Sequence, residues 1–311
     1  PNVRTLFDNP ETDHTYGLDL TPVLYTKDID RDGTIEPAAG DRVYAYIGMR
    51  RGGTNLYALD ITPDATVTST SASIAPRFLW RIDGGSDNDF RRLAYTWSKP
   101  RLATMRVGGT PTPVLIFGGG YDTALDGGYG TAATGGQANA GNALYVINAE
   151  TGARILAIGS CTGLDPAECS AGTDLDLEVP EMVHSIASEP SVFDADGDGF
   201  ADRAYLADTG GNLWRVDFCT TLAGGDPGDA VVGRLASLAD PANASDQRRF
   251  FESPAVASVS DTAYAATPRY DYIAIGSGTR PDPLGSTVQD RFYAIRDYQA
   301  TSRMQDSDGN G

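Results

Sequence analysis

One phrase recurs four times along the chain, and it limits the possible folds more than any other feature. A short apolar run meets glycines, then a polar residue, an apolar–aromatic pair, and an acid or Asn. The copies occupy residues 43–48 with 52–60, 114–120 with 141–148, 204–208 with 210–217, and 272–278 with 291–297. Each is led by a polar residue, a proline (Pro22, Pro100, Pro190, Pro254) and a short strand-like run. Further apolar runs follow the first two copies, at 78–82 and 154–158. Runs this short, joined by Gly-rich turns, predict antiparallel strands, four to a unit. Sustained helical periodicity is almost absent. Four-stranded units repeated around an axis are β-propeller blades. The expected class is therefore all-β, a β-propeller with blade units at 18–84, 97–160, 187–237 and 250–300. The prolines are farther apart than a blade of about 40–50 residues allows. Inserts at 121–141, 161–181 and 224–246 account for the excess. Four blades could close a small ring; the expectation is that further blades lie outside these 311 residues.

Tyr57, Tyr145, Trp214 and Tyr293 hold one place in the four copies and are expected to pack between blades. The formal charge of −18 argues against a nucleic-acid groove and against docking on anionic lipid by charge. No run is long and apolar enough to span a bilayer. The chain opens Pro1-Asn2-Val3-Arg4, with neither Met nor a signal-peptide pattern, and reads as a piece of a longer protein.

Two loops carry chemistry. In the third unit, acids stand at positions one, three, five and nine of a loop: Asp194, Asp196, Asp198 and Asp202, with Gly199 at six. Calcium takes six to eight oxygens, and alternating carboxylates in a tight turn supply them. The Phe200 carbonyl would fill position seven. The plainer alternative is an acidic Asp/Gly turn without metal. The first unit repeats the spacing at the equivalent place: Asp28, Asp30, Asp32 and Glu36, with Gly33 at six and the Thr34 carbonyl at seven. Here the alternative is a solvated acidic turn, with Lys27 and Arg31 near enough to neutralise it. The terminal Asp306-Ser307-Asp308-Gly309-Asn310-Gly311 resembles the first half of another such loop, or an acidic tail; residues 301–311 are read as the start of a truncated acidic loop.

Cys161 and Cys169 flank a turn-rich insert and are a candidate disulfide, two free thiols being the alternative; Cys219 is left over. Asp174, Asp176, Glu178 and Glu181 lack the glycine spacing and read as a solvated loop. His14 and His184 have no second His or Cys at metal-ligand spacing. No Gly-x-Ser-x-Gly elbow is present, and Gly118-Gly119-Gly120 is a blade turn rather than a phosphate loop. No catalytic residue is singled out and no enzyme is expected.

Four stretches resemble the PilC/PilY family of type IV pilus tip-associated proteins: Leu18-Asp19-Leu20-Thr21-Pro22, residues 52–60, residues 116–122 and residues 193–217. The acidic loop running into Arg203-Ala204-Tyr205-Leu206-Ala207-Asp208 is the most specific of them. The resemblance implies a modified, quinoprotein-like propeller, part of a seven-bladed ring longer than this chain. It implies a calcium-binding pilus-tip adhesin and assembly factor, exported through the periplasm and outer membrane to the fimbrium. Calcium held by Asp194, Asp196, Asp198, the Phe200 carbonyl and Asp202 would govern pilus extension and retraction, twitching motility and adhesion. Expected partners are minor pilins and a host or abiotic surface ligand. The Arg-Gly-Asp motif of some members is missing, and the Asp28–Glu36 loop is not a family feature. Two other functions stay open. One is an integrin-like calcium-stabilised surface propeller acting as a lectin or protein-binding module. The other is a quinoprotein dehydrogenase, whose repeat residues 144–152 also resemble, although no adjacent Cys pair is present. Propellers host all three.

Overall fold

The computed structural model describes residues 15–64, 75–85, 89–124, 140–165, 169–170, 172–218, 226–261, 269–300, 302 and 304. The first repeat forms β1 (Val23–Lys27), β2 (Arg42–Gly48), β3 (Asn55–Asp60) and β4 (Arg77–Asp83), antiparallel in that order. The second forms β5 (Arg101–Val107), β6 (Thr110–Gly118), β7 (Ala143–Asn148) and β8 (Arg154–Gly159), and adds the short β9 (Leu177–Glu178) parallel to β8. The third forms β10 (Ser191–Phe193), β11 (Arg203–Ala207), β12 (Asn212–Asp217) and β13 (Val231–Ser237). The fourth forms β14 (Ala255–Ser260), β15 (Arg269–Gly276) and β16 (Phe292–Asp297).

Two sheets depart from the expected four strands. The second gains β9 because its insert folds back on β8: Asp176 N–H donates to Ala157 O (2.8 Å) and Val179 N–H to Gly159 O (2.7 Å). The fourth has three strands among the described residues, because after β16 the chain turns away to buried arginines of the third sheet.

The sheets stack face to face in chain order, and the period-two alternation of each strand decides which neighbour it meets. Leu144 and Val146 of β7 join a core with Ala204, Leu206, Trp214 and Val216 of the third sheet. Tyr145 and Ile147, on the opposite face, pack with Tyr46, Leu56, Ala58 and Trp80 of the first. Tyr205, Ala207 and Leu213 meet Ile273, Ile275, Tyr293 and Ile295 of the fourth. Inner sheets buried on both faces explain why β7 and β11 read as continuous apolar runs rather than alternating ones. Small antiparallel sheets stacked in series in chain order are the blades of a β-propeller, and this is the fold.

The repeated aromatic shows the same logic. Tyr145, Trp214 and Tyr293 each pack against the preceding sheet. Tyr57 lies on the face of the first sheet turned away from the second and is half-buried.

In such a meander, the connections from first to second strand open at one end of the stack. The connections from second to third strand, and those between sheets, open at the other. At that second end the rings of Trp97, Tyr121 and Phe251 meet, with centroids 5.1–5.8 Å apart. Gly120 (φ +90) permits the approach, because a Cβ there would collide with the Tyr95 carbonyl. Both acidic loops lie at the first end. No described helix is long and apolar enough to cross a membrane.

Candidate metal centre

Residues 28–41 link β1 to β2 and residues 194–202 link β10 to β11, so the two loops hold the same place in their sheets. Their backbones turn alike over the first six positions. Positions four and six are left-handed in both: Gly197 (φ +86) and Gly199 (φ +93), against Arg31 (φ +60) and Gly33 (φ +84). Arg31 is one of two described non-glycine residues with positive φ, a conformation that costs a non-glycine residue about 1 kcal/mol or more.

These turns aim successive N–H groups inward, and the aspartates collect them. Asp194 accepts from Gly197 N–H through Oδ1 (2.6 Å) and from Gly199 N–H through Oδ2 (2.7 Å). Asp28 accepts from Arg31 N–H (2.7 Å) and Gly33 N–H (2.8 Å) in the same way. At position three, Asp196 and Asp30 accept from the N–H of Asp198 (3.0 Å) and Asp32 (3.3 Å). At position five, Asp198 and Asp32 accept from the N–H of Phe200 (2.9 Å) and Thr34 (2.7 Å).

The loops diverge at the closing acid. Fully buried Asp202 accepts the Ala195 N–H through Oδ2 (2.7 Å). In the first sheet the matching N–H, that of Ile29, goes to Asp41 Oδ1 (3.0 Å) and not to Glu36. Glu36 supplies only its backbone, whose N–H donates to Asp41 Oδ2 (2.9 Å). A 3-10 turn at Pro37–Ala39, ended by Gly40 (φ +103), carries the chain from Glu36 to Asp41. Buried Asp41 is thus the structural counterpart of Asp202, five residues later than the expected closing position. Counting nine residues assumed equal loops. The usable signal was the Asp-Arg pair that opens the second strand in both, Asp41-Arg42 and Asp202-Arg203.

Carboxylate oxygens of Asp194, Asp196 and Asp202 lie within 4.8 Å of one another, as do those of Asp28, Asp30 and Asp32. Burial works to raise the Asp194 pKa, but the N–H groups of Gly199, Gly197, Asp198 and Asp196 outweigh it and hold the carboxyl below its ordinary value. Each group is oxygen-only, with no imidazole or thiolate, and fits a hard divalent cation such as calcium. Lys27 does not neutralise its loop. It pairs with Glu150 Oε1 (2.6 Å) on the second sheet.

The 194–202 loop has an exposed tip, residues 196–199, and meets the second sheet at its far end. Ala201 N–H donates to Thr104 O of β5 (2.9 Å), and the Arg106 guanidinium lies 4.0 Å over the Phe200 ring. On its other side, Arg203 enters a buried charge network.

Cys161 and Cys169 are joined by a disulfide, with Cα atoms 5.3 Å apart. The acids beside it are not simply solvated. Buried Asp174 accepts the Ser170 N–H (2.8 Å), and Asp176 accepts the Ala157 N–H (2.8 Å). They shape the insert, a role the missing glycines could not reveal. The His184 ring lies where a Cβ on Gly210 would stand, so it packs as a structural residue. His14, Cys219 and the 306–311 segment lie outside the described residues.

The chain matches the family model of the PilY1 β-propeller domain over residues 10–271. It is 30% identical over 233 residues to a type IV pilus biogenesis factor PilY1 homolog of Xylella fastidiosa, covering 75% of this chain and 13% of that protein. It is 27% identical over 214 residues to the type IV pilus biogenesis factor PilY1 of Pseudomonas aeruginosa, covering 69% and 14%. The chain therefore spans a small part of these relatives' length. The crystal structure of the Pseudomonas aeruginosa PilY1 C-terminal domain superposes with a TM-score of 0.59 at 21% identity, over 91% of this chain and 51% of that one. That likeness shows the shared fold. With a family model matching most of its length, the chain belongs to the PilY1 β-propeller family.

Proposed function

We propose that this propeller is the calcium-responsive part of a type IV pilus biogenesis factor and pilus-tip adhesin. Calcium is held by Asp194, Asp196, Asp198, the Phe200 carbonyl and Asp202. A second ion is held by Asp28, Asp30, Asp32 and the Thr34 carbonyl, with Asp41 taking the closing role first expected of Glu36. The observation that carries this reading is that two loops far apart in sequence share left-handed turns at positions four and six and the same hydrogen bonds to the first aspartate, and that each gathers three carboxylates, Asp194, Asp196 and Asp202 in one and Asp28, Asp30 and Asp32 in the other. Clustered carboxylates repel one another, and a dication offsets that repulsion; occupancy thus sets the order of the loop. In the assembled pilus, that order regulates extension against retraction, and with it twitching motility and surface adhesion. The partners are minor pilins and a host or abiotic surface ligand, met outside the cell at the pilus tip. The relatives' names as pilus biogenesis factors support a non-enzymatic role.

The test replaces Asp194 and Asp196 by Asn in the whole factor within its own bacterium. The expected result is surface piliation and twitching that no longer respond to calcium between chelator and millimolar levels. An unchanged calcium response in a stably expressed variant would count against the reading. Repetition of the loop at one blade position also favours a second reading, a calcium-stabilised surface propeller that binds glycan or protein without governing assembly. That reading predicts lost adhesion with normal piliation.

A further inference from the structure

Arg203 follows the loop's closing acid directly, and its side chain is fully buried. Nε donates to Asp217 Oδ1 (2.7 Å) and Nη1 to Asp271 Oδ2 (2.9 Å), joining the third sheet to the fourth. The same guanidinium reaches the backbone beyond β16: Nη1 donates to Ala300 O (3.0 Å) and Nη2 to Ser302 O (3.3 Å). Buried Arg215 does likewise. It donates to both Asp217 oxygens (2.9 and 2.7 Å) and to Asp297 Oδ2 (2.7 Å), and then to Gln299 O (3.2 Å) and Ser302 O (2.6 Å). Met304 N–H closes the set on Asp217 Oδ2 (2.9 Å).

The described part of 298–304 is therefore a strap tied down by side chains, where the other sheets have a fourth strand tied by a ladder. Tyr298, Gln299 and Ser302 are exposed, so the strap's outer side is open to a partner. Its inner side depends on two guanidiniums. One of them is fixed by the residue that closes the cation loop: Asp202 N–H bonds Phe193 O (3.2 Å), and Asp202 O accepts the Phe218 N–H (2.8 Å) at the start of the ladder that positions Arg203.

We infer that the strap formed by residues 298–300, 302 and 304 is the surface element through which cation occupancy of the Asp194–Asp202 loop is transmitted, with Arg203 as the positioning residue between them. The inference rests on the calcium reading above. A loop loosened by unscreened carboxylates displaces Asp202 and with it Arg203. The strap then loses two of its ties, while the sheets keep theirs. Linkage makes the effect reciprocal: loosening the strap weakens cation binding by the same factor.

The experiment is hydrogen exchange by mass spectrometry on the purified chain in calcium chloride and in EGTA, with calorimetry of calcium binding alongside. Exchange in peptides spanning 297–304 should be at least about fivefold slower with calcium. Asp194→Asn should erase that difference, and Asp28→Asn, in the other loop, should preserve it. Met304→Pro removes one strap tie and leaves the charge network whole; it should weaken calcium binding at the 194–202 loop by a similar factor. Calcium binding with identical strap exchange overturns the inference and leaves the calcium reading standing, and so does wild-type affinity in Met304→Pro. Absence of calcium binding overturns both.

Discussion

Replacing Arg215 by Met tests whether the third and fourth sheets are joined as described. Arg215 is buried and holds Asp217 by two bonds and Asp297 by one. Methionine fills most of the volume but leaves those carboxylates short of positive charge. Breaking a buried pair by removing one partner costs about 3–5 kcal/mol, because the other charge stays buried. Here the lower end applies. Asp217 keeps Arg203 and the Met304 N–H, and Asp297 keeps the Tyr205 hydroxyl (2.6 Å) and the Gln299 N–H (3.0 Å). About 3 kcal/mol, at about 2–4 °C per kcal/mol, is a fall of about 6–12 °C in melting temperature. Thermal and urea unfolding followed by circular dichroism measure it. Arg215→Lys, which keeps the charge but loses the fork, should fall between wild type and Met. A loss under about 1 kcal/mol in Arg215→Met would refute the argument, because that is the range of an exposed ion pair.

Other expected outcomes follow from the same structure. Burial pushes the Asp217 pKa up, but the Arg215 hydrogen bond and the Arg203 and Arg215 charges outweigh it, so the folded-state value lies below the ordinary 3.8. A carboxyl depressed in the folded state adds stability that is whole above 3.8 and fades as pH falls through the lower folded value. Acid unfolding curves should steepen below about pH 4, and Asp217→Asn should flatten that limb while lowering stability at neutral pH. In the first loop, Asp41→Asn should weaken calcium binding about tenfold or more, while Glu36→Gln changes it little; equal effects in calorimetry would restore Glu36 as the closing acid. Cys161→Ser should cost roughly 2.5 kcal/mol by the loop-closure relation for a separation of 8 residues, read as a lower urea midpoint under oxidising conditions. A Gly120→Ala chain should lose more than about 2 kcal/mol, since a Cβ there meets both a left-handed backbone and the Tyr95 carbonyl.

Strand placement was legible because each blade writes the same physical requirements into its residues: a proline before the first strand, glycines where loops crowd and, in the second to fourth sheets, an aromatic on the face toward the preceding sheet. The turn of the main acidic loop was legible because its spacing of acids and glycines is local. What lies across sequence distance was not. Asp41 escaped because a 3-10 turn lengthens its loop, and spacing arguments hold only within one backbone shape. The Arg203, Arg215, Asp217, Asp271 and Asp297 network joins residues up to 94 apart (203 to 297). On strand faces these read as ordinary charged positions, and their burial depends on the next sheet. The strap of residues 298–300, 302 and 304 carries no periodic signal, since side chains rather than a ladder hold it.

Calcium titration of the purified chain by calorimetry, with crystals grown in calcium and examined by anomalous scattering, addresses the account most directly. One ion should appear in each acidic loop, with Asp202 and Asp41 closing the respective cages, and EGTA should lower the melting temperature. A titration flat to millimolar calcium, with both loops free of anomalous signal, would contradict the account.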